Sequence, residues 1–136
     1  MRILIDTNVT LDLLMQRDHF YEESKHVFAA VKEGRLEGLI TVKSLMDIHY
    51  VTKHILHDEA KVRTIIQNLL TLVTLVDSGA EEAKRALFSD MNDYEDALMS
   101  ETARSCYADY ICTRNVRDFK RSETAVITPA ELLLLL

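Results

Sequence analysis

Residues 93–119, DYEDALMSETARSCYADYICTRNVRDF, form the stretch of this chain that decides its fold class. Asp93 and Asp96 stand three residues apart where a helix is predicted to begin, so both carboxylates lie on one face of its first turn, beside the partly positive helix N-terminus. A short apolar strand follows at 110–113 and ends in a polar turn that contains Asp118. In a parallel α/β sheet, ligands bind at helix starts and just past the carboxyl ends of strands. The stretch therefore predicts an α/β fold with acids at its ligand site.

Each of these acids also fits a simpler structural role. Asp93 is a suitable N-cap with Asp96 at N3, and Asp118 is a suitable turn residue. Taken singly, each acid is better explained by capping or turn formation than by a functional site. The combination gains weight from the N-terminus, where the predicted strand 2–5 delivers Asp6 to its carboxyl end. Asp6 is itself also suited to cap the helix that follows.

The rest of the chain alternates strand and helix patterns. Strand candidates lie at 2–5, 39–41, 72–76, 110–113 and 125–127. Amphipathic helices fall between them, and the clearest has its apolar stripe at 62–70. This alternation specifies a three-layer α/β domain in which helices flank a mainly parallel sheet of four or five strands. With 136 residues, only three Gly and one Pro, and no linker-like tract, we expect a single domain over residues 1–136.

The chain ends in a predicted helix that is apolar on every side. A capping box with Pro at N1 opens this helix at 128–131, and five consecutive Leu follow at 132–136. The run is far too short to span a bilayer, which needs ~20 residues. It serves either core closure or a subunit interface. We expect a homodimer, because one core face cannot bury the whole run.

Composition narrows the compartment and the class of protein. The formal net charge of −6 argues against a general nucleic-acid-coating protein, because polyphosphate would be repelled. The N-terminus meets Asp6 after three apolar residues, which argues against a signal peptide or a spanning helix, so we expect a cytoplasmic protein with no membrane association. Cys106 and Cys112 are then expected to be buried free thiols. Three histidines match no standard metal-binding spacing and are expected at or near the surface: His49, His54 and His57.

The acids point to metal chemistry. Asp6, Asp96 and Asp118 are expected to gather at one edge of the sheet, and Asp47, off the apolar stripe of its helix, is free to join them. Carboxylates within a few Å of one another must bind protons or a cation. Because no His or Cys contributes, the expected cation is a hard one, Mg²⁺ or Mn²⁺. Such ions bridge phosphate oxygens and acidify a bound water, which implies hydrolysis of a phosphodiester.

Basic residues surround the last of these acids. They are Arg114, Arg117, Lys120 and Arg121. Two interpretations stay open: a solvated basic turn, or a phosphate contact beside the site. In the second interpretation, Arg114 and Arg117 are the expected contacts to nucleic acid.

Three motifs resemble those of the PIN-domain family, which includes the VapC-type ribonuclease toxins. They are 6–8 (DTN), 93–97 (DYEDA) and 113–119 (TRNVRDF), and the resemblance runs over essentially the whole chain. The resemblance implies a metal-dependent endonuclease of single-stranded RNA with a PIN-like fold, one or two Mg²⁺ or Mn²⁺ ions, and an antitoxin protein as a candidate partner. It further implies that Asp6, Asp96 and Asp118 are metal ligands, directly or through water, within a catalytic set completed by Asp47. Thr113 and Asn115 would then orient the site.

The chain departs from the family at one acid, and two rival functions follow from the sequence. The family usually has Glu at the position of Asp47, and Asp is one methylene shorter than Glu. Asp93 is therefore a second candidate for part of the role of this acid. One rival is a PIN-like domain that binds RNA or protein with little or no turnover. The other is a phosphotransferase that forms an aspartyl phosphate on Asp6, but such enzymes normally carry a second acid two residues on, where this chain has Asn8.

Overall fold

A five-stranded parallel sheet organises the molecule, which is described here by a computed structural model that covers residues 1–136. The strands are β1 (Arg2–Ile5), β2 (Glu37–Thr41), β3 (Thr74–Val76), β4 (Tyr110–Cys112) and β5 (Ala125–Ile127). Their order in the sheet is β3-β2-β1-β4-β5, and every neighbouring pair is parallel. The predicted fold class is confirmed, with five strands.

Seven α-helices and one 3₁₀ helix connect and flank the strands. They are α1 (Thr7–Leu14), α2 (Tyr21–Lys32), α3 (Val42–Leu56), α4 (Glu59–Leu70), α5 (Ala80–Leu87), α6 (Tyr94–Ser105) and α7 (Pro129–Leu134), with the 3₁₀ helix at Val116–Phe119. The helix ends follow local signals in the sequence. Gly34 has a φ of +74° just after α2, the left-handed conformation that glycine adopts freely. Thr128 and Glu131 form the predicted capping box of α7, with Pro129 at its first turn.

Alternate residues of β1 supply two cores, one on each face of the sheet. Ile3 and Ile5 belong to the larger core, together with residues of α1, α2, α3, α4 and α7. Leu4 belongs to the smaller core, which also holds Ala103 of α6 and Phe119. This is the period of two expected of a strand that is buried on both faces. The three-layer arrangement therefore follows from the apolar run 3–5 of β1, which is buried on both faces.

The third strand is shorter than predicted. The sequence favours a strand over 72–76, but β3 begins at Thr74. Leu72 and Val73 instead donate backbone hydrogen bonds to Leu69 in the turn that ends α4. The helix thus extends its hydrogen bonding into the first two residues of the apolar run, and periodicity alone does not reveal this boundary.

The two halves of the sheet adjoin between β1 and β4. The segments after β1 build outward through β2 and β3, and the later segments build outward on the other side through β4 and β5. Ile5 is in register with Cys112, so the carboxyl ends of β1 and β4 lie side by side. This switch point is where open α/β sheets bind ligands.

The cysteines and histidines lie where they were expected, with one exception. Both thiols are free, but Cys106 is only partly buried, whereas Cys112 is fully buried. Burial and the nearby Asp6 charge raise the pKa of the Cys112 thiol to about 12, so this thiol stays neutral and unreactive. His54 and His57 are exposed, and His49 is half-buried against Glu59 at 3.0 Å. No helix combines the length and the apolar character that crossing a membrane requires.

The terminal leucines divide between core and surface. Leu132 is completely buried in the larger core, whereas Leu134 is 86% exposed and Leu135 is 53% exposed. Core closure holds for Leu132, and the expected dimer interface stays a prediction for the exposed ones.

Leu132→Ala is expected to lower the free energy of unfolding by ~2–5 kcal/mol, because it removes a buried side chain and leaves a cavity against α2. Leu134→Ala is the matched control, and we expect it to change the free energy of unfolding by no more than ~0.5 kcal/mol at concentrations where the chain is monomeric. Urea unfolding followed by circular dichroism measures both. Equal effects of the two substitutions would contradict this assignment of α7 to the core.

Candidate metal centre

Asp6 lies at the switch point and is held from two sides. It follows β1 directly and is the N-cap of α1, where its Oδ1 accepts a hydrogen bond from the Thr7 amide at 2.8 Å. Its Oδ2 accepts a hydrogen bond from the Thr113 hydroxyl at 2.7 Å. Burial raises the pKa of Asp6 above its usual value, although these hydrogen bonds oppose the change, and the charge of Asp118 raises it further. The Asp6 carboxylate therefore caps α1, and burial and the charge of Asp118 disfavour its ionised form.

Thr113 connects the first strand to the polar turn after β4. The residue is completely buried, and its hydroxyl also accepts a hydrogen bond from the Asn115 amide at 3.0 Å. Thr113 thus fixes the Asp6 carboxylate and the start of the turn at the same time. Asn115 takes part through its backbone, and its exposed side chain makes no hydrogen bond. This geometry agrees with the orienting role expected of Thr113, which remains a prediction.

Asp93 and Asp96 open α6. Asp93 is the N-cap, and its Oδ2 accepts a hydrogen bond from the Asp96 amide at 3.1 Å, so the structural interpretation of Asp93 is correct. Asp96, at the third position of the helix, is half-buried, and its surroundings indicate a role beyond capping. Burial raises the pKa of Asp96 from 3.8 to about 6, and the negative charges that add to this are those of Asp93, Asp6, Asp118 and Glu95.

Asp118 lies in the 3₁₀ helix after β4 and is the third acid of the group formed with Asp6 and Asp96. It is exposed, and its amide donates to the Asn115 carbonyl at 3.0 Å. Its charge raises the pKa of both Asp6 and Asp96. The structure therefore brings together three acids from three separate segments, as the sequence predicts: Asp6, Asp96 and Asp118.

Two clefts meet at Asp96. The first, which we call the acidic cleft, contains Asp6, Lys43, Asp47, Glu95 and Asp96 among its lining residues. The second, which we call the basic-rimmed cleft, is lined by the segment 90–93 together with Asp96, Arg117, Asp118, Lys120 and Arg121. A polyanion in the basic-rimmed cleft would thus lie next to the acids of the first.

Asp47 lines the acidic cleft but faces a partner that sequence reasoning missed. The Lys43 ammonium lies 2.5 Å from Asp47 Oδ2 and 3.1 Å from Glu95 Oε2. Burial alone would lower the pKa of Lys43, but the hydrogen bonds to Asp47 and Glu95 raise it above its usual 10.5. The lysine is therefore charged at every physiological pH. The i,i+4 spacing of Lys43 and Asp47 is a sequence signal for this pair, but nothing local indicates Glu95.

Arg114 has a structural partner that the sequence analysis also missed. Asp12 of α1 is completely buried, and its carboxylate lies 2.7 Å (Oδ2) from Arg114 Nε and accepts a hydrogen bond from Arg114 Nη2 at 3.2 Å. The shorter approach is an ionic contact without hydrogen-bond alignment. The Arg114 guanidinium also lies 4.0 Å from the centre of the Phe20 ring. A charged residue within the apolar sequence of α1 is the one signal for this pair, and the expected nucleic-acid contact of Arg114 has to compete with it.

The donor set suits a hard divalent cation. Every candidate ligand is a carboxylate, and oxygen donors favour Mg²⁺ or Mn²⁺. Burial raises the pKa of Asp96 and nearby negative charges raise it further, so a bound cation would stabilise its ionised form. As the side chains stand, however, no three Asp, Glu, His or Cys side chains converge closely enough to hold an ion. The residues fit the metal in chemistry, and binding it requires the acids to draw closer.

Comparisons with known proteins agree with this architecture. The family model described as "PIN domain" matches residues 2–117. No curated protein resembles the sequence at a significant level. The fold is similar to that of VapBC2 from Rickettsia felis, solved bound to a promoter DNA fragment, with 15% identity, a TM-score of 0.70, and coverage of 94% of this chain and 98% of that chain.

Two further solved structures are similar over most of their length. A toxin-antitoxin complex from Klebsiella pneumoniae shares 24% identity, with a TM-score of 0.69 and coverage of 93% of this chain and 97% of that chain. VapC20 from Mycobacterium tuberculosis, a toxin that cleaves the sarcin-ricin loop, shares 16% identity, with a TM-score of 0.63 and coverage of 80% of this chain and 86% of that chain. At these identities the structures show the fold alone, while the family model covers far more than half of the chain. The chain therefore belongs to the PIN-domain family.

Proposed function

We propose that this protein is a Mg²⁺- or Mn²⁺-dependent endoribonuclease that hydrolyses phosphodiester bonds of single-stranded RNA. The observation that carries the proposal is the group of acids Asp6, Asp96 and Asp118 at the sheet's switch point, where burial first, and then neighbouring negative charges that include Asp6 and Asp118, raise the pKa of Asp96 to about 6. Acids under such repulsion are stabilised by a divalent cation, and none of the three forms a salt bridge that would otherwise relieve it. PIN-family membership supports nuclease chemistry as the use of such a cation.

The residues have separate tasks in this proposal. Asp6 is held rigidly by Thr7 and Thr113, so it supplies a pre-positioned oxygen ligand. Asp96 and Asp118 approach from other segments as the second and third ligands, directly or through water. When bound, the cation would neutralise phosphate charge and acidify the attacking water. Asp47 would act from the wall of the same cleft.

The basic-rimmed cleft supports a polyanionic substrate. The residues that line it include three basic side chains, Arg117, Lys120 and Arg121, together with two of the acids, Asp96 and Asp118. Positive side chains at this place offset the unfavourable net charge of the chain for a phosphate backbone. The rim would hold flanking phosphates while the acids engage the scissile one.

Exposed aromatic surface supports a single-stranded substrate. Phe88 is 88% exposed at the end of α5, two residues before Asp90, which lines the basic-rimmed cleft. Unpaired bases stack on such rings, whereas duplex bases are not available for stacking. The proposed substrate class also draws on VapC20, which is described as a toxin that cleaves the sarcin-ricin loop.

A second candidate function is an RNA- or protein-binding PIN domain with little turnover. The observation that favours it is the engagement of Asp47 by Lys43, together with side chains that do not converge on a metal position. Cleavage assays with purified protein separate the two candidates, because the binding domain would retain RNA without hydrolysing it.

We propose that an antitoxin protein binds this chain and that two chains form a homodimer. The antitoxin is supported by the solved neighbours, which include toxin-antitoxin complexes. The homodimer is supported by the exposed end of α7, where Leu134, Leu135 and Leu136 present apolar surface to solvent.

Asp96→Asn is expected to reduce Mn²⁺-dependent cleavage of a single-stranded RNA by more than ~100-fold, because changes outside the ligand shell alone cost ~10–100-fold. The measurement is the initial rate of cleavage of an end-labelled oligonucleotide, with Mn²⁺ and with EDTA. Asp18→Asn, an exposed acid between α1 and α2, is the matched control and should cleave at the wild-type rate. A folded Asp96→Asn variant with full activity would refute the proposed site.

The same variant is expected to change the pH dependence of stability without metal. The pKa of Asp96 in the folded chain is about 6, above 3.8, so protonated Asp96 favours folding below about pH 4, and this contribution is lost as the pH rises through 6. Asp96→Asn does not titrate, so its stability relative to wild type should increase between pH 4 and 6 and stay constant above that range. Urea unfolding in EDTA across this range measures the difference. A difference independent of pH would show that folding does not raise the pKa of Asp96.

Sedimentation velocity at tens of micromolar is expected to show a dimer of the wild-type chain. Leu134→Ser should shift the distribution toward monomer, since it places a hydroxyl in the proposed apolar contact. Leu87→Ser serves as the control, because Leu87 is 64% exposed at the end of α5 and not on α7. A wild-type chain that sediments only as monomer would refute the dimer.

A further inference from the structure

The acidic cleft contains a positively charged side chain of the protein itself, that of Lys43. The Lys43 ammonium lies 2.5 Å from Asp47 Oδ2 and 3.1 Å from Glu95 Oε2, and so it bridges α3 and α6 across the cleft. The three side chains are partly exposed, at 39%, 43% and 69% respectively, so they are accessible to ions from solvent. Lys43 therefore neutralises two carboxylates that line the acidic cleft.

Local helix stability does not explain a lysine at this position. Lys43 is the second residue of α3, where the partly positive helix N-terminus disfavours a cation. In its pair with Asp47 the basic residue precedes the acid by four, which is the less favourable orientation on a helix. Two local preferences are thus contradicted at one residue, and such residues are typically found at functional sites.

The acids of the centre divide into two groups according to their neutralisation. Asp47 and Glu95 are paired with Lys43. Asp6, Asp96 and Asp118 take part in none of the ion pairs of the chain. Only the second group is left to attract a divalent cation.

We propose that the Lys43 ammonium takes the place of a second divalent cation, so that the centre binds one Mg²⁺ or Mn²⁺ ion. This inference rests on the proposed function, since it assumes that Asp6, Asp96 and Asp118 bind metal. In two-metal sites the ions lie ~3.5–4 Å apart and share neighbouring carboxylates. Here the carboxylates available to a second ion, Asp47 and Glu95, serve the ammonium instead.

The short side chain at position 47 agrees with this arrangement. An Asp on α3 reaches Lys43 one turn earlier on the same helix, so it needs no additional methylene to extend across the cleft. Removing the ammonium would leave Asp47 on α3 and Glu95 on α6 without a cationic partner in the cleft. Two unneutralised carboxylates there favour capture of a divalent cation.

Mn²⁺ binding to the purified chain, followed by the electron paramagnetic resonance signal of the free ion, tests the inference. Wild type is expected to bind one Mn²⁺ per chain, and Lys43→Met two. Lys43→Met with Asp47→Ala should return to one, because the new ion would need Asp47. Lys43→Arg keeps the charge and should bind one. Lys25→Met, which removes a lysine paired with Glu22 on α2, is the matched control and should also bind one.

The outcomes separate this inference from the proposed function. If wild type binds Mn²⁺ and Lys43→Met binds the same number of ions with the same affinity, the inference is overturned and the proposed metal site stands. Two ions bound by wild type would likewise overturn the inference alone. Absence of Mn²⁺ binding in every variant would overturn both. Circular dichroism confirms folding, and Lys43→Gln replaces Lys43→Met if the latter is unfolded.

Discussion

The pairing of β1 with β4 is the constraint on which the site depends. The Asp6 amide donates to the Cys112 carbonyl at 3.0 Å, and the Thr113 hydroxyl donates to Asp6 Oδ2 at 2.7 Å. The first contact extends the backbone pairing of the sheet by one residue. The second is a side-chain hydrogen bond just beyond the end of the sheet. A slip of one residue in register would turn Thr113 to the opposite face and leave Asp6 buried without this donor. Backbone pairing and carboxylate orientation are thus specified together.

Local rules were sufficient for most of the fold. The opening strand, the N-cap at Asp93, the glycine after α2 and the capping box of α7 each depend on residues within four positions of one another, so the sequence predicts them correctly. The acids at Asp6, Asp96 and Asp118 were also predictable as a group. Parallel topology requires strand ends to meet at one edge, and all three acids lie at a strand end or a helix start.

Long-range charge pairing could not be predicted in the same way. Arg114 and Asp12 lie 102 positions apart, and Lys43 and Glu95 lie in different helices. The sequence indicated a basic turn and a group of acids, but it did not indicate which basic residue would pair with which acid. Burying Asp12 without a partner would be costly, so an arginine that looks available for a ligand is used by the core. The charges left for function are those that the fold does not consume.

The Arg114–Asp12 pair gives the two sides of the centre different mechanical properties. The Asp12 carboxylate of α1 is completely buried and is paired with Arg114 and also with Arg17, so the contact with Arg114 ties the turn after β4 to α1 by compensating a buried charge. The opposite side is joined by the partly exposed contacts of Lys43, and exposed ion pairs contribute only ~0–1 kcal/mol. In the proposed metal centre, Asp6 lies on the side that holds the buried pair and Asp96 opens α6 on the side with the exposed pairs, so a contraction of the acids around an ion would fall to the start of α6. Binding of an ion would then move one wall of the proposed centre against the other, and the wall that moves would carry Asp96, whose ionised form a cation would stabilise.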